Sequence, residues 1–230
     1  DRKLFRDLSR PTTLKQRYRS NNKTLLRVNT LQQNSISKEI QKNIYNEVKR
    51  NIKKTDLLIF SDFNYGCLPE NLIHKITDLA KKYKIKVVAD SQSSSQIGDI
   101  TRFKNMDFIT PTEREARISI GNNEDGVVEL SRKLHKASKC KNIMLKLGKE
   151  GLLVFSYKGK KILTDRISAM NQNPIDVAGA GDAMLVVSSL ASATGATIWE
   201  SAYLGAIASS IQVNRIGNIP LSLEELRSQI

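Results

Sequence analysis

A chain of 230 residues with 37 Lys and Arg against 23 Asp and Glu carries a formal net charge of +14. The length supplies ample material for one α/β core, and the charge predicts attraction to anions, with phosphorylated small molecules and nucleic acid as competing partners. Other classes are excluded: no apolar run is long enough to cross a membrane, no signal peptide is visible, and Cys67 and Cys140 lack metal-ligand spacing and read most simply as reduced thiols of a cytoplasmic protein.

In chain order, residues 12–19 and 24–30 alternate enough to form a hairpin around the turn-forming Ser20, Asn21, Asn22 and Lys23. Lys15 and Arg17 fall on one face of its first strand. There they could bind a sugar phosphate, or face solvent as on any polar strand. The hairpin suits a flap over a site or a clasp between two copies of the chain. Residues 37–51 follow helical spacing, with Ile40, Ile44, Val48 and Ile52 on one side. Residues 57–60 read as a buried strand ending at Ser61 and Asp62, 72–82 as a helix, and 86–89 as a strand ending at Asp90. Residues 108–109 make a short strand before a helix beginning near Thr112. A helix over 127–137 and a strand over 143–147 follow, after which Gly148 and Gly151 permit a sharp turn into another strand. The basic runs at 49–54 and 81–84 look like solvated helix ends. No recognition helix or aromatic platform accompanies them, so nucleic acid is not the expected partner.

Strands alternating with helices imply a mostly parallel sheet with right-handed crossovers and flanking helices. In such sheets ligands gather beyond the carboxyl ends of the strands. Asp62, Asp90, Thr112 and Gly148 all follow predicted strand ends, although either acid taken alone is equally well a loop cap.

The most informative segment is Asp176-Val177-Ala178-Gly179-Ala180-Gly181-Asp182, followed by residues 183–191, which read as a buried helix. A helix N-terminus presents free N–H groups and favours negative charge. Gly179 and Gly181 let that backbone approach an anion closely. A carboxylate just beyond would repel phosphate, and Asp182 makes sense there if it takes a proton from a hydroxyl attacking that phosphate. The alternative is a tight loop in which Asp182 caps the helix.

This segment resembles the C-terminal signature of the ribokinase-like (PfkB) carbohydrate kinases. Ile143-Met144-Leu145-Lys146-Leu147-Gly148-Lys149-Glu150-Gly151 resembles the strand and turn lining that family's nucleotide site. Thr110-Pro111-Thr112-Glu113-Arg114-Glu115 resembles its Asn-x-x-Glu motif. Arg10-Pro11-Thr12-Thr13-Leu14-Lys15-Gln16-Arg17 with Leu25-Leu26-Arg27-Val28 is most similar to the heptose-7-phosphate kinase branch, which supplies ADP-heptose for lipopolysaccharide biosynthesis. The likeness runs over nearly the whole chain from about Arg10, so residues 1–230 are expected to form one ribokinase-like domain with a lid hairpin at about 10–30. Relatives are typically longer at the N-terminus, where they carry a βαβ segment with a Gly-Gly sugar-binding motif. Truncation, a segment supplied by a partner, or an altered family member would each leave it out.

The resemblance implies an ATP-dependent sugar kinase that transfers the γ-phosphoryl group to a hydroxyl of a phosphorylated sugar. Asp182 would be the catalytic base, and the N–H groups around Gly179, Ala180 and Gly181 the anion hole. Thr112, Glu115, Lys146, Gly148 and Gly151 would bind the nucleotide. Glu115 would also organise Mg2+ through water, unless it is only a solvated carboxylate in the first turn of its helix. Lys15, Arg17, Asp62 and Asp90 would bind the sugar, and the hairpin could join a homodimer. Thr112 stands where the family has Asn, Ala178 where Thr is common, and Ala206 where relatives carry Asn near the adenine. Ser91-Gln92 replaces Pro-Lys of the heptose branch, and Tyr65 replaces Lys. These losses of polar contacts favour a second reading, a non-catalytic nucleotide-binding or dimerisation module.

Overall fold

The fold is that of a computed structural model and is described for residues 3–20, 23–93, 96–159 and 161–230. The expected hairpin is present. Strands β1 (Leu14–Ser20) and β2 (Lys23–Thr30) pair antiparallel, with Leu14 opposite Thr30, Gln16 opposite Val28 and Tyr18 opposite Leu26. Asn21 and Asn22 of the expected turn lie outside the described residues. Strand alternation gives the hairpin two unlike faces. Lys15, Arg17 and Arg19 share one, while Leu14, Tyr18, Leu26 and Val28 share the other and are all exposed.

Next come α1 (Lys38–Asn51), β3 (Leu57–Asp62), α2 (Glu70–Lys82), β4 (Lys86–Ser91), β5 (Phe108–Ile109), α3 (Glu113–Ile120), α4 (Val127–Ser138) and β6 (Asn142–Lys146). The chain continues through β7 (Leu152–Lys158), β8 (Lys161–Ile167), α5 (Ala180–Ala193), α6 (Ile198–Val213) and α7 (Leu223–Arg227). Local chemistry fixes several helix ends. Ser37 Oγ accepts the Ile40 N–H at 3.2 Å to open α1, whose last turn carries Lys49 and Arg50 against the dipole. Thr112 and Glu115 form a capping box on α3, and Gly121 closes that helix in the left-handed conformation.

The larger sheet has six strands in the order β3-β4-β5-β6-β7-β8. The pairings from β3 to β6 are parallel, as the strand–helix alternation predicts. Those of β6 with β7 and β7 with β8 are antiparallel, because their connections are too short for a crossover. Gly151 makes the first of these possible: its φ is +94°, and a Cβ there would stand 2.0 Å from the Ile167 carbonyl oxygen.

Strand alternation sends side chains to two apolar layers. Val87, Ala89, Ile143, Leu145 and Phe155 join Leu72, Ile73, Phe103 and Leu130 on one face. Val88, Phe108, Met144 and Val154 meet Met184, Leu185 and Ala202 of α5 and α6 on the other. The expectation of a buried helix after Asp182 is met only on one side. Met184, Leu185, Ser188 and Ser189 are buried, but Val186 and Leu190 are exposed, because α5 covers the sheet with one stripe. Of the cysteines, Cys67 is exposed and Cys140 buried, and both are free; burial pushes the Cys140 thiol up to about 12. No helix among the described residues is long and apolar enough to cross a membrane.

Candidate active site

The parallel strands and α5 converge on one end of the sheet. Gly179 occupies the N-cap of α5 with φ +79°, and Ala180, Gly181 and Asp182 form the first turn. N–H groups of a first turn have no acceptor within the helix. Accordingly, the Ala183 N–H is bonded back to the Gly179 carbonyl at 2.9 Å, while the Ala180 N–H makes only a 3.4 Å contact with Val177. Asp182 therefore stands inside the first turn, and the cap position belongs to Gly179, which has no side chain to cap with. The Asp182 carboxylate instead accepts Gln92 Nε2 at 3.1 Å, tying the helix to the end of β4.

The loop leading into α5 is pinned from several sides. Asp176 Oδ1 accepts the Ala178 N–H at 3.1 Å, and its Oδ2 accepts the Gly217 N–H at 3.2 Å. Gln212, buried in α6, donates to the carbonyls of Ala178 at 3.2 Å and Gly217 at 2.9 Å. Arg19 of β1 reaches Asp176 Oδ2 at 2.8 Å.

A cavity of about 400 Å3 opens beside this turn, within the size range of small-molecule sites. Thr112, Lys146, Gly148 and Gly151, expected around a nucleotide, line it together with Ala180 and Gly181. Met170, Val177, Met184, Ala206 and Val213 add an apolar wall. Lys146 closes the strand end of the cavity: its N–H bonds to the Pro111 carbonyl at 2.8 Å and its Nζ pairs with Asp90 Oδ1 at 3.0 Å. A Cβ on Gly181 would lie 3.3 Å from that Nζ, so the ammonium borders the first turn of α5.

Asp90 is almost wholly enclosed and also accepts Thr110 Oγ1 at 2.8 Å. Burial pushes its carboxyl above the usual carboxylate range, against the opposing pull of Lys146, and the negative charge of Glu115 pushes the same way as burial. Glu115 is not the solvated side chain that its place in a first turn allows. It is buried, with Oε1 accepting the Ser93 N–H at 2.9 Å and Oε2 the Thr112 N–H at 2.7 Å. Its T-x-x-E spacing is the sequence signature of the capping box; the bond from Ser93 has no sequence signal.

Asp62 has scaffold partners. It is 3% exposed and accepts the Asn64 N–H at 3.1 Å, Ser91 Oγ at 3.2 Å and a guanidinium N–H of Arg102. Arg102 also donates to the carbonyl of Leu68 at 2.7 Å and to Asn64 Oδ1 at 3.0 Å, so it ties two strand-end loops together. Lys15 Nζ lies 5.6 Å from the Phe63 ring centre and 5.2 Å from that of Tyr65, and the two rings stack at 6.2 Å. Arg17, on the same face of β1, is exposed. The expected sugar-binding residues are thus divided: Asp90 pairs with Lys146, which lines the cavity, Lys15 crosses to an aromatic pair after β3, and Asp62 is held in a closed network with Asn64, Ser91 and Arg102. Arg19, Gln92, Arg102 and Gln212 are the residues of this region that sequence reasoning does not assign.

The description "pfkB family carbohydrate kinase" matches residues 4–225. The chain belongs to this family. As a pfkB-family chain it is similar to proteins named "Bifunctional protein HldE". That of Desulfatibacillum aliphaticivorans is 29% identical over 230 residues, and that of Helicobacter hepaticus 26% identical over 230 residues. Each match takes in 99% of this chain but 46% of the relative, so the chain spans about half the length of these curated relatives. Among solved structures, ribokinase from Giardia lamblia superposes with a TM-score of 0.72 at 18% identity, over 96% of this chain and 72% of that one. Phosphofructokinase-2 from Escherichia coli, in complex with potassium, gives a TM-score of 0.70 at 15% identity, over 88% and 65%. These likenesses establish the ribokinase-like fold: a mostly parallel sheet between helices with a separate two-stranded hairpin.

Proposed function

We propose that this pfkB-family chain is an ATP-dependent sugar kinase acting on a phosphorylated sugar of heptose-7-phosphate type, with Asp182 as the general base. One observation carries the reading: the first turn of α5 and the Lys146 ammonium border the same cavity, and Asp182 belongs to that turn. A γ-phosphoryl group bound at this turn would sit between the nucleotide cavity and a carboxylate. The N–H groups of Ala180, Gly181 and Asp182 would hold its oxygens, and Lys146 would neutralise charge that develops during transfer. Asp182 would take the proton of the attacking sugar hydroxyl as the bond to phosphorus forms. Thr112, Gly148 and Gly151 would border the remainder of ATP.

Mg2+ fits this donor set. Asp90 and Glu115 are enclosed carboxylates, the charge of Glu115 reaches Asp90, and each Glu115 oxygen in use retains a further lone pair. Magnesium keeps several waters, so these two residues would hold it through water, and it would supply positive charge to offset that of the phosphates. Among the described residues, no cluster of three or more His, Cys, Asp and Glu side chains forms a dedicated metal cage; a water-rich ion shared with substrate needs none.

The heptose assignment is supported by the relatives named HldE and by the cationic hairpin face. Lys15 and Arg17 would grip the sugar's own phosphate, with Phe63 and Tyr65 beneath. The test is ADP release over a panel of phosphorylated and unphosphorylated sugars, using wild type and a Lys15→Ala/Arg17→Ala variant. The variant should raise KM for the phosphorylated sugar about tenfold or more, the scale of losing charge-assisted bonds, and leave KM for ATP near wild type. Equal effects on both substrates would remove the hairpin from the sugar site. Ala206 in the cavity wall, where relatives carry Asn, favours the second reading of a non-catalytic nucleotide-binding module. Wild type that binds ATP and phosphorylates nothing in the panel would select it.

The opposite face of the hairpin fits a second copy of the chain. Leu14, Tyr18, Leu26 and Val28 are 52%, 50%, 55% and 40% exposed on that face, and apolar side chains grouped in this way mark contact surfaces. A homodimer through this face should dissociate in a Leu26→Lys variant; sedimentation equilibrium reads the outcome, and an unchanged mass would discard the face. Use of ATP and a sugar phosphate fits a cytoplasmic setting.

A further inference from the structure

Strand β1 bridges the site. Lys15 and Arg19 are four residues apart on one face, about 13 Å along a strand. Lys15 ends over the aromatic pair that follows β3, and Arg19 ends on Asp176 at the start of the glycine loop. Asp176 is a junction: the carboxylate that takes Arg19 also takes the N–H groups of Ala178 and Gly217. Ala178 immediately precedes Gly179, whose left-handed backbone starts α5. The hairpin is a sheet of its own, so this ion pair joins a separate element directly to the loop that leads into α5.

We propose that Arg19 and Asp176 are positioning residues, joined so that the loop before α5 takes up its anion-binding geometry when the hairpin lies across the site. With the hairpin in place, the Arg19 guanidinium holds Asp176 in the rotamer that receives both backbone N–H groups, and the turn at 178–181 is fixed. With the hairpin lifted, Asp176 loses its cation and the turn loosens. Anion binding and hairpin closure then favour each other, because each stabilises the same arrangement of Asp176. Burial pushes the Asp176 carboxyl up, but the Ala178 and Gly217 N–H groups and Arg19 outweigh it and hold the group below the usual carboxylate range. It therefore stays charged and able to take Arg19 at neutral pH. The inference rests on reading this turn as the phosphate site, yet its test needs no substrate.

Amide hydrogen exchange on the full chain, without ligand, provides that test. Arg19→Gln should speed exchange of the amides of residues 177–182 by roughly two- to fivefold, the scale of a partly exposed ion pair. Arg27→Gln on the neighbouring strand should leave those amides unchanged. Arg19→Lys, which keeps a cation for Asp176 and leaves the carboxylate that accepts the Ala178 and Gly217 N–H groups untouched, should hold exchange near wild type, which a general loosening of the hairpin would not do. Unchanged exchange in Arg19→Gln, or exchange in a folded Arg19→Lys as fast as in Arg19→Gln, would overturn the proposal. Turnover measured alongside separates the two readings. Coupled exchange in a chain that phosphorylates nothing would sink the kinase assignment and leave the clasp standing, whereas uncoupled exchange in an active kinase would do the reverse.

Discussion

Asp182→Asn should lower the rate of phosphoryl transfer by roughly a hundredfold or more while ATP binds as well as before, or slightly better. The structure sharpens the reason. Gln92 Nε2 donates to Asp182 Oδ1, and an asparagine carbonyl oxygen can accept the same bond, so the side chain keeps its place. What disappears is the negative charge and the proton acceptor. Removing charge from a first turn costs about 0.3–1 kcal/mol of helix stabilisation, too little to unfold the chain. The same charge repels phosphate, so its loss does not weaken ATP. Single-turnover transfer beside ATP titration, on wild type and variant, gives both quantities. Equal transfer rates would show that Asp182 is not the base, and a parallel collapse of ATP affinity would show that it organises the nucleotide instead.

The two glycines of the signature should fail in different ways. At Gly179 the backbone has φ +79°, and a Cβ would stand 2.2 Å from Asn218 Oδ1. Gly179→Ala therefore adds a backbone penalty of about 1–2 kcal/mol to a collision with a side chain packed under the loop. Both the melting temperature and ATP affinity should fall. At Gly181 the backbone is helical, and the nearest obstacle to a Cβ is the end of a flexible chain, Lys146 Nζ at 3.3 Å. Gly181→Val should keep its fold, since a helix interior prefers most residues to glycine. Its branched side chain would nonetheless stand beside the first-turn N–H groups and displace the ammonium. ATP affinity should drop about tenfold or more, equivalent to about 1.4 kcal/mol. Isothermal titration with thermal melts separates the pair. A folded Gly181→Val that binds ATP like wild type would refute the anion-hole assignment.

Elements with strong local signals could be read from the chain alone. Apolar runs cut off by Asp62 and Asp90 mark the ends of β3 and β4, and the helix expected near Thr112 is α3, with Thr112 as its cap. Strand β8 gave no such signal, because its side chains are exposed nearly throughout and it is fixed by pairing with β7. Site residues divided along the same line. Gly179, Gly181 and Asp182 carry their meaning within one turn. Arg102 acts on Asp62, 40 residues away, and Gln212 acts on Ala178, 34 residues away. Such pairings are set by strand order and helix packing, which no local spacing encodes. For the same reason Asp62 resembled a ligand-facing acid: its position after a strand was visible, and the guanidinium that claims it was not.

The separateness of the hairpin has a consequence for how such a protein changes over generations. Among the described residues, neither apolar layer draws one from β1 or β2, so substitutions there fall mostly among exposed positions, where the usual effect on stability is within about 0.5 kcal/mol. Gly179, Asp182 and Gln212 are held by α5 and α6, where errors are felt by the core. If the hairpin holds the sugar as proposed, substitutions on it away from Arg19 would shift substrate preference while the residues proposed for the chemistry stay fixed beneath it, and homologues would diverge fastest in substrate and slowest in mechanism.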